Sequence, residues 1–192
     1  MTNQKVPRPS LEDLDRELAS RSKARSRRRA VSGTVWVLIV VAAAAILCSS
    51  LFLSVLKVQG DSMEPTLHSG EILLAVKKTG FRSGDVIAFY YDNKILLKRV
   101  IAEPGDQVDV GEDGTVTVNG TPLDEPYLQS KSRGICDVQF PEQVPDGRIF
   151  VLGDNRKVSV DSRTTAIGCI SEKAVAGKVI LRIWPFGRLG AI

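Results

Sequence analysis

Hydrophobic and polar positions divide the chain into three stretches of different character. Residues 1–34 are polar and charged, with Leu11, Leu14 and Leu18 at helical spacing behind Ser10 and Asp13, a weak capping box for one short helix. Next comes "VWVLIVVAAAAILCSSLFLSVL", Val35 to Leu56, twenty-two residues without a charge. At ~1.5 Å of rise per residue it reaches roughly 33 Å, enough to cross a hydrocarbon core of about 30 Å. This predicts a transmembrane helix. A core helix of that length keeps a polar stripe, and the apolar part of a cleavable signal peptide is shorter, about 7 to 15 residues.

Past Leu56 the period changes. "EILLAV" (71–76), "DVIAFYY" (85–91), "ILLKRVIA" (95–102), "RIFVL" (148–152) and "KVILRIW" (178–184) are short apolar or alternating runs rich in β-branched residues, separated by Gly, Asp and Asn. "VDVGEDGTVTVNGTPL" adds a hairpin around Asp113-Gly114 and a turn at Asn119-Gly120. Residues 124–147 hold three prolines and no clean period, and read as a surface excursion. The predicted fold is mainly β: one N-terminal transmembrane helix, then an antiparallel β domain with a small β/loop excursion. The expected boundaries are 1–34 for a basic tail, 35–56 for the helix and 57–192 for the β domain, with 107–147 as its smaller inserted region.

Charge sharpens this division. Residues 1–34 carry nine Lys or Arg against four Asp or Glu, whereas residues 57–192 carry seventeen against eighteen. The overall +4 therefore belongs to the tail. A nucleic-acid footprint should lie on the folded face that binds, so the basic balance is no sign of one. "KARSRRR", Lys23 to Arg29, puts five positive charges on the N-terminal side of the span, which by the positive-inside bias predicts a cytoplasmic tail and an extracytoplasmic β domain. Cys136 and Cys169 are the only cysteines beyond the span; an oxidising compartment permits a disulfide, and the sequence leaves its formation open. Three scattered Cys and one His lack zinc-ligand spacing.

Three stretches carry candidate chemistry. "QGDSMEPTLH" offers Ser62 on a turn, although Gly-Asp-Ser is common turn chemistry and most such serines bond only backbone. A nucleophilic serine needs a base within reach. His68, the one histidine, is six residues on and would have to fold back. Lys98, in "ILLKRVIAEPGD", shares a strand face with Leu96 and Val100, whose apolar surroundings disfavour an ammonium. To serve near pH 7 to 8 its pKa must fall by roughly 3 units from ~10.4, although a strand-end lysine can equally reach out to water. "GDNRKVSVDSR", Gly153 to Arg163, packs two acids, two arginines and two serines into eleven residues. Its oxygens do not form a calcium-loop pattern, and it suits the orienting of other groups.

"GDSMEPTL" (60–67), "SGDVIAF" (83–89), "KRVIAEPGD" (98–106) and "GDNRKVSVDSR" (153–163), in this order behind an N-terminal anchor, resemble the boxes of the bacterial type I signal peptidases, most closely their short single-span Gram-positive form. The resemblance implies a serine endopeptidase with a Ser-Lys dyad that cuts signal peptides from exported preproteins after small residues, in an Ala-x-Ala pattern. Ser62 falls on the nucleophile and Lys98 on the general base. Ser159 falls on the supporting serine and Asp161 on the structural acid. Asp154, Arg156 and Arg163 fall on positions that hold the site together, and Met63 on a methionine near the membrane-facing surface, with simple apolar packing as its alternative.

Gly60 is a departure: some relatives place a serine two residues before the nucleophile to help stabilise the oxyanion, which here leaves the Ser62 N–H as the main donor. The expected partners are exported preproteins and the lipid bilayer, with no nucleic acid, no cofactor and no metal, and the chain is expected to act as a monomer in the cell membrane. Two other readings compete. A self-cleaving repressor with a Ser-Lys dyad would need a DNA-binding domain where this chain has its span. A catalytically silent anchored β domain would have no use for an intact Ser62 and Lys98.

Overall fold

A computed structural model describes residues 32–47, 49–77 and 80–192. The short helix expected around Leu11 to Leu18 lies outside them. The N-terminal helix, α1, runs from Ser32 to Phe52 and is the one helix among the described residues long and apolar enough to cross a membrane. Its end differs from the expected Leu56, because Leu53–Lys57 forms the first strand, β1. An uncharged run cannot separate the two conformations. Pairing decides here, since Leu53 to Lys57 matches Val76 to Ile72 residue for residue.

The β domain is built from β2 (Ile72–Val76), β3 (Val86–Tyr91), β4 (Lys94–Ala102), β5 (Gln107–Val110), β6 (Val116–Val118), β7 (Thr121–Pro122), β8 (Glu142–Gln143), β9 (Arg148–Leu152), β10 (Ile170–Ser171), β11 (Val175–Trp184) and β12 (Gly190–Ala191). The main sheet runs β1-β2-β11-β3-β4-β9-β10, with β12 on β11, and every pair in it is antiparallel. A second sheet, β7-β6-β5-β8, is made wholly by residues 107–143.

Strand sequences follow their surroundings. β3, flanked by β11 and β4, has its first four residues fully buried and so reads as a continuous apolar run. β5 covers only one face and alternates exposed with buried positions. Two tight hairpins fix the register: Asp92 and Asn93 between β3 and β4, and Asn119 and Gly120 between β6 and β7, all with positive φ as a type I′ turn demands.

Three apolar clusters form the interior. One gathers Val58, Met63, Leu67, Leu73, Ala75, Val86 and Val179; another packs Ile87, Phe89, Val100, Ile149, Val151 and Ile170; the third joins the sheets through Ile101, Val108, Val116, Phe150 and Leu152. Met63 is 2% exposed within the first. Met63 is thus packed in the core, the second of its two readings. It shares this cluster with Val58 and Leu67, while its neighbour Ser62 stays partly accessible. Cys136 and Cys169 are free thiols, and Cys169 belongs to the third cluster.

Candidate active site

Sheet topology brings Ser62 and Lys98 together. Ser62 sits on the turn between β1 and β2, and Lys98 on β4 opposite the buried Ile87 of β3. Their side chains meet with Lys98 Nζ 2.9 Å from Ser62 Oγ. Lys98 is 3% exposed, and among the described residues this is its one side-chain hydrogen bond. Burial pushes the amine from its ordinary 10.5 down to about 8, against the Asp161 carboxylate, which pulls it up; Arg163 lowers it and Asp154 raises it again.

Behind this pair the segment after β9 folds back on itself. Ser162 N–H donates to Val151 O at 3.1 Å, and Val151 N–H donates to Ser162 Oγ at 2.9 Å. Asp161 is wholly buried; it accepts from Gly153 N–H at 3.0 Å and from Arg163 Nε and Nη2, each at 2.8 Å. Asp154 accepts from Arg99 Nε at 2.9 Å and Nη2 at 2.6 Å, and from the Thr66 hydroxyl at 2.5 Å. Arg156 is buried against the Glu125 carboxylate. Ion pairs this dry hold only because each carries further hydrogen bonds.

Two short links tie that segment to the serine turn. Asn155 N–H donates to Ser62 O at 3.0 Å, and its amide Nδ2 donates to Asp61 O at 3.1 Å. Gly153 makes this approach possible, because a Cβ there would lie 2.2 Å from Ser159 Oγ and 2.5 Å from Ser62 O. Ser159 is fully buried, and its hydroxyl has no hydrogen-bond partner among the described residues. Gly60 has φ +82° and open space around its Cα.

His68 is drawn elsewhere. Its Nδ1 lies 3.0 Å from Glu64 Oε1, four residues back on the same turn. A cavity of about 350 Å³ opens beside Ser62, lined by residues 55–60 on one side and 95–98 on the other, and by Met63. Both walls are strand edges. β1 ends the main sheet, and β9 pairs with β4 only over Arg99 to Ala102, which leaves residues 94–98 one edge unpaired.

Sequence reasoning missed Arg99, Thr66, Asn155, Glu125 and Tyr127. Arg99 and Asn155 stand inside stretches already singled out, and the acid-arginine balance of those stretches was the available signal. Glu125 and Tyr127 lie in the aperiodic excursion, where nothing local marks them.

A serine hydroxyl 2.9 Å from a buried lysine amine in a β domain is geometry compatible with a serine hydrolase. Residues 31–184 match the family described as Signal peptidase, peptidase S26. Signal peptidase I of Bacillus licheniformis is 34% identical over 180 residues, covering 87% of this chain and 96% of that protein. Signal peptidase IB of Staphylococcus aureus is 36% identical over 173 residues, covering 79% and 89%. The crystal structure of a signal peptidase I from Enterococcus faecalis is similar at 30% identity and a TM-score of 0.43, over 52% of this chain and 97% of that one. The chain belongs to the signal peptidase S26 family and is a serine endopeptidase.

Proposed function

We propose that the protein is a membrane-anchored signal peptidase that cleaves exported preproteins after small residues, with Ser62 as nucleophile and Lys98 as general base. The observation that carries this reading is the 2.9 Å contact between the Ser62 hydroxyl and a buried lysine whose amine titrates near 8. Neutral Lys98 accepts the Ser62 proton as Oγ attacks the scissile carbonyl. The resulting ammonium then protonates the leaving amine, and a water deprotonated by the same amine releases the acyl group. The oxyanion lies against the Ser62 N–H.

The substrate enters extended. Two unpaired edges, β1 and residues 94–98 of β4, face one cavity, and a strand-like peptide can hydrogen-bond along them while its alternate side chains enter the space between. The preference for alanine-sized residues before the cut follows from the likeness to signal peptidases. α1 anchors the enzyme where preproteins arrive, and the basic run Lys23 to Arg29 orients the tail to the cytoplasm and the β domain to the outside.

The test is a cleavage assay on an alanine-ended preprotein in liposomes. Ser62→Ala and Lys98→Ala each abolish processing while His68→Ala does not. Cleavage that survives Ser62→Ala, or is lost only with His68→Ala, overturns the dyad.

A further inference from the structure

We propose that Tyr127 and Glu125, on the excursion outside the four boxes, are positioning residues for the reaction; they close a ring of side chains that fixes the Lys98 strand against the segment behind Ser62. The inference rests on the Ser62-Lys98 reading.

The ring can be followed contact by contact. Asp154 accepts two hydrogen bonds from Arg99, and the Arg99 guanidinium carbon stands 4.0 Å from the centre of the Tyr127 ring. A guanidinium over an aromatic face is held by the ring's negative quadrupole. The Tyr127 hydroxyl donates to Glu125 Oε1 at 2.9 Å. Glu125 pairs with Arg156, and Arg156 Nε donates to Gly153 O at 3.2 Å, one residue from Asp154 where the path began. Both ends of the ring therefore lie in the segment that contacts Ser62 through Asn155.

Two features give the ring leverage over the reacting pair. Arg99 is the chain neighbour of Lys98, so the Tyr127 ring caps the side chain next to the amine's own backbone. The charged groups that bear on Lys98 are Asp161, Arg163 and Asp154, all on the segment that Glu125 and Arg156 fasten. Arg163 is itself braced by this segment, since its Nη1 donates to Arg156 O at 3.0 Å. Without Tyr127 the guanidinium of Arg99 gains solvent and its hold on Asp154 loosens. A freer Asp154 carboxylate and wetter surroundings both favour the ammonium form of Lys98.

The experiment uses the full chain in liposomes and a preprotein substrate, with kcat and KM followed from pH 6 to 10 for the native enzyme, Tyr127→Leu, Tyr127→Phe and Ser62→Ala. Tyr127→Leu lowers kcat by about tenfold or more, leaves KM within about twofold, and moves the acidic limb of kcat/KM about half a unit or more to higher pH. Tyr127→Phe, which keeps the aromatic face over Arg99 but loses the hydrogen bond to Glu125, moves the limb in the same direction by less than Tyr127→Leu does. A limb that stays put in Tyr127→Leu overturns the proposal, whether kcat is unchanged or falls only with the melted fraction seen by circular dichroism. Cleavage that survives Ser62→Ala overturns the dyad and this inference with it, whereas an unmoved limb beside an inactive Ser62→Ala removes this inference alone.

Discussion

Lys98 and Arg99 are adjacent on β4, both cationic and both buried, yet their surroundings are opposite. Arg99 meets the Asp154 carboxylate, the Gly84 carbonyl at 2.7 Å and the Tyr127 ring. Lys98 meets one hydroxyl. A guanidinium cannot give up its proton in a protein, so it must be paired; an amine can, and leaving it without a carboxylate partner suits it to the base role proposed for it. The fold uses strand alternation to send consecutive cations to opposite faces, one toward the acids that secure the site and one toward the serine.

The widest separation of the two comes from giving both the same substitution. Lys98→Met removes the base and lowers kcat by about 10⁴-fold or more, measured by single-turnover cleavage. Stability moves the other way. The native fold lowers this pKa from 10.5 to about 8, so at pH 7 it holds an ammonium that the unfolded chain holds more easily. That difference corresponds to roughly 3 kcal/mol at ~1.4 kcal/mol per unit. Native stability therefore rises from pH 8 toward 10.5, and the gain from Lys98→Met, read by denaturant melts, is full below 8 and gone above 10.5. Arg99→Met leaves Asp154 dry and unpaired, a change that typically costs about 3–5 kcal/mol. A melt in which both variants shift in the same direction at pH 7 would end the contrast.

The same division governs what could be read in advance. The five long strands beyond β1 fall close to their expected ranges, because β-branched runs bounded by turn residues are a local signal. β1 was hidden, since its apolar residues continue the helix without a break and only the pairing with β2 sets them apart. Ser62, Lys98 and the 153–163 segment stood out for their residue types, and the sheet then brought together two groups thirty-six positions apart. Arg99's partners were not legible in the same way. Tyr127 and Glu125 reach it and Arg156 across twenty-eight and thirty-one positions, from a segment whose prolines leave no period to interpret. Met63 had two readings, near the membrane-facing surface or simple apolar packing, because an apolar residue on a turn can face either side; its burial favours packing.

A smaller effect tests the turn that presents Ser62. Gly60 lies at φ +82°, where an L side chain is strained by roughly 1–2 kcal/mol even with open space around it. Gly60→Ser introduces the hydroxyl that some relatives carry and forces a backbone change beside the nucleophile. The expected result is a loss of about 1 kcal/mol in a denaturant melt with no rise in kcat. A higher kcat would mean that the turn relaxes to the relatives' geometry and gains a second oxyanion donor.

The smallest expected effect belongs to the residue nearest Ser62 that could have served as its base. His68 is part-exposed, as is Glu64, and a polar side-chain pair at that spacing and exposure contributes about 0.3–0.5 kcal/mol at most. The backbone turn does not depend on it, because Leu67 N–H donates to Met63 O at 2.9 Å and Leu67 is fully buried in the core. His68→Ala should therefore move the denaturant midpoint by about 0.5 kcal/mol or less and leave kcat/KM and its acidic limb near pH 8 where they are. A limb displaced by this change would mean that the imidazole reaches the reacting groups during turnover, and Lys98 would then share its proton with a second base.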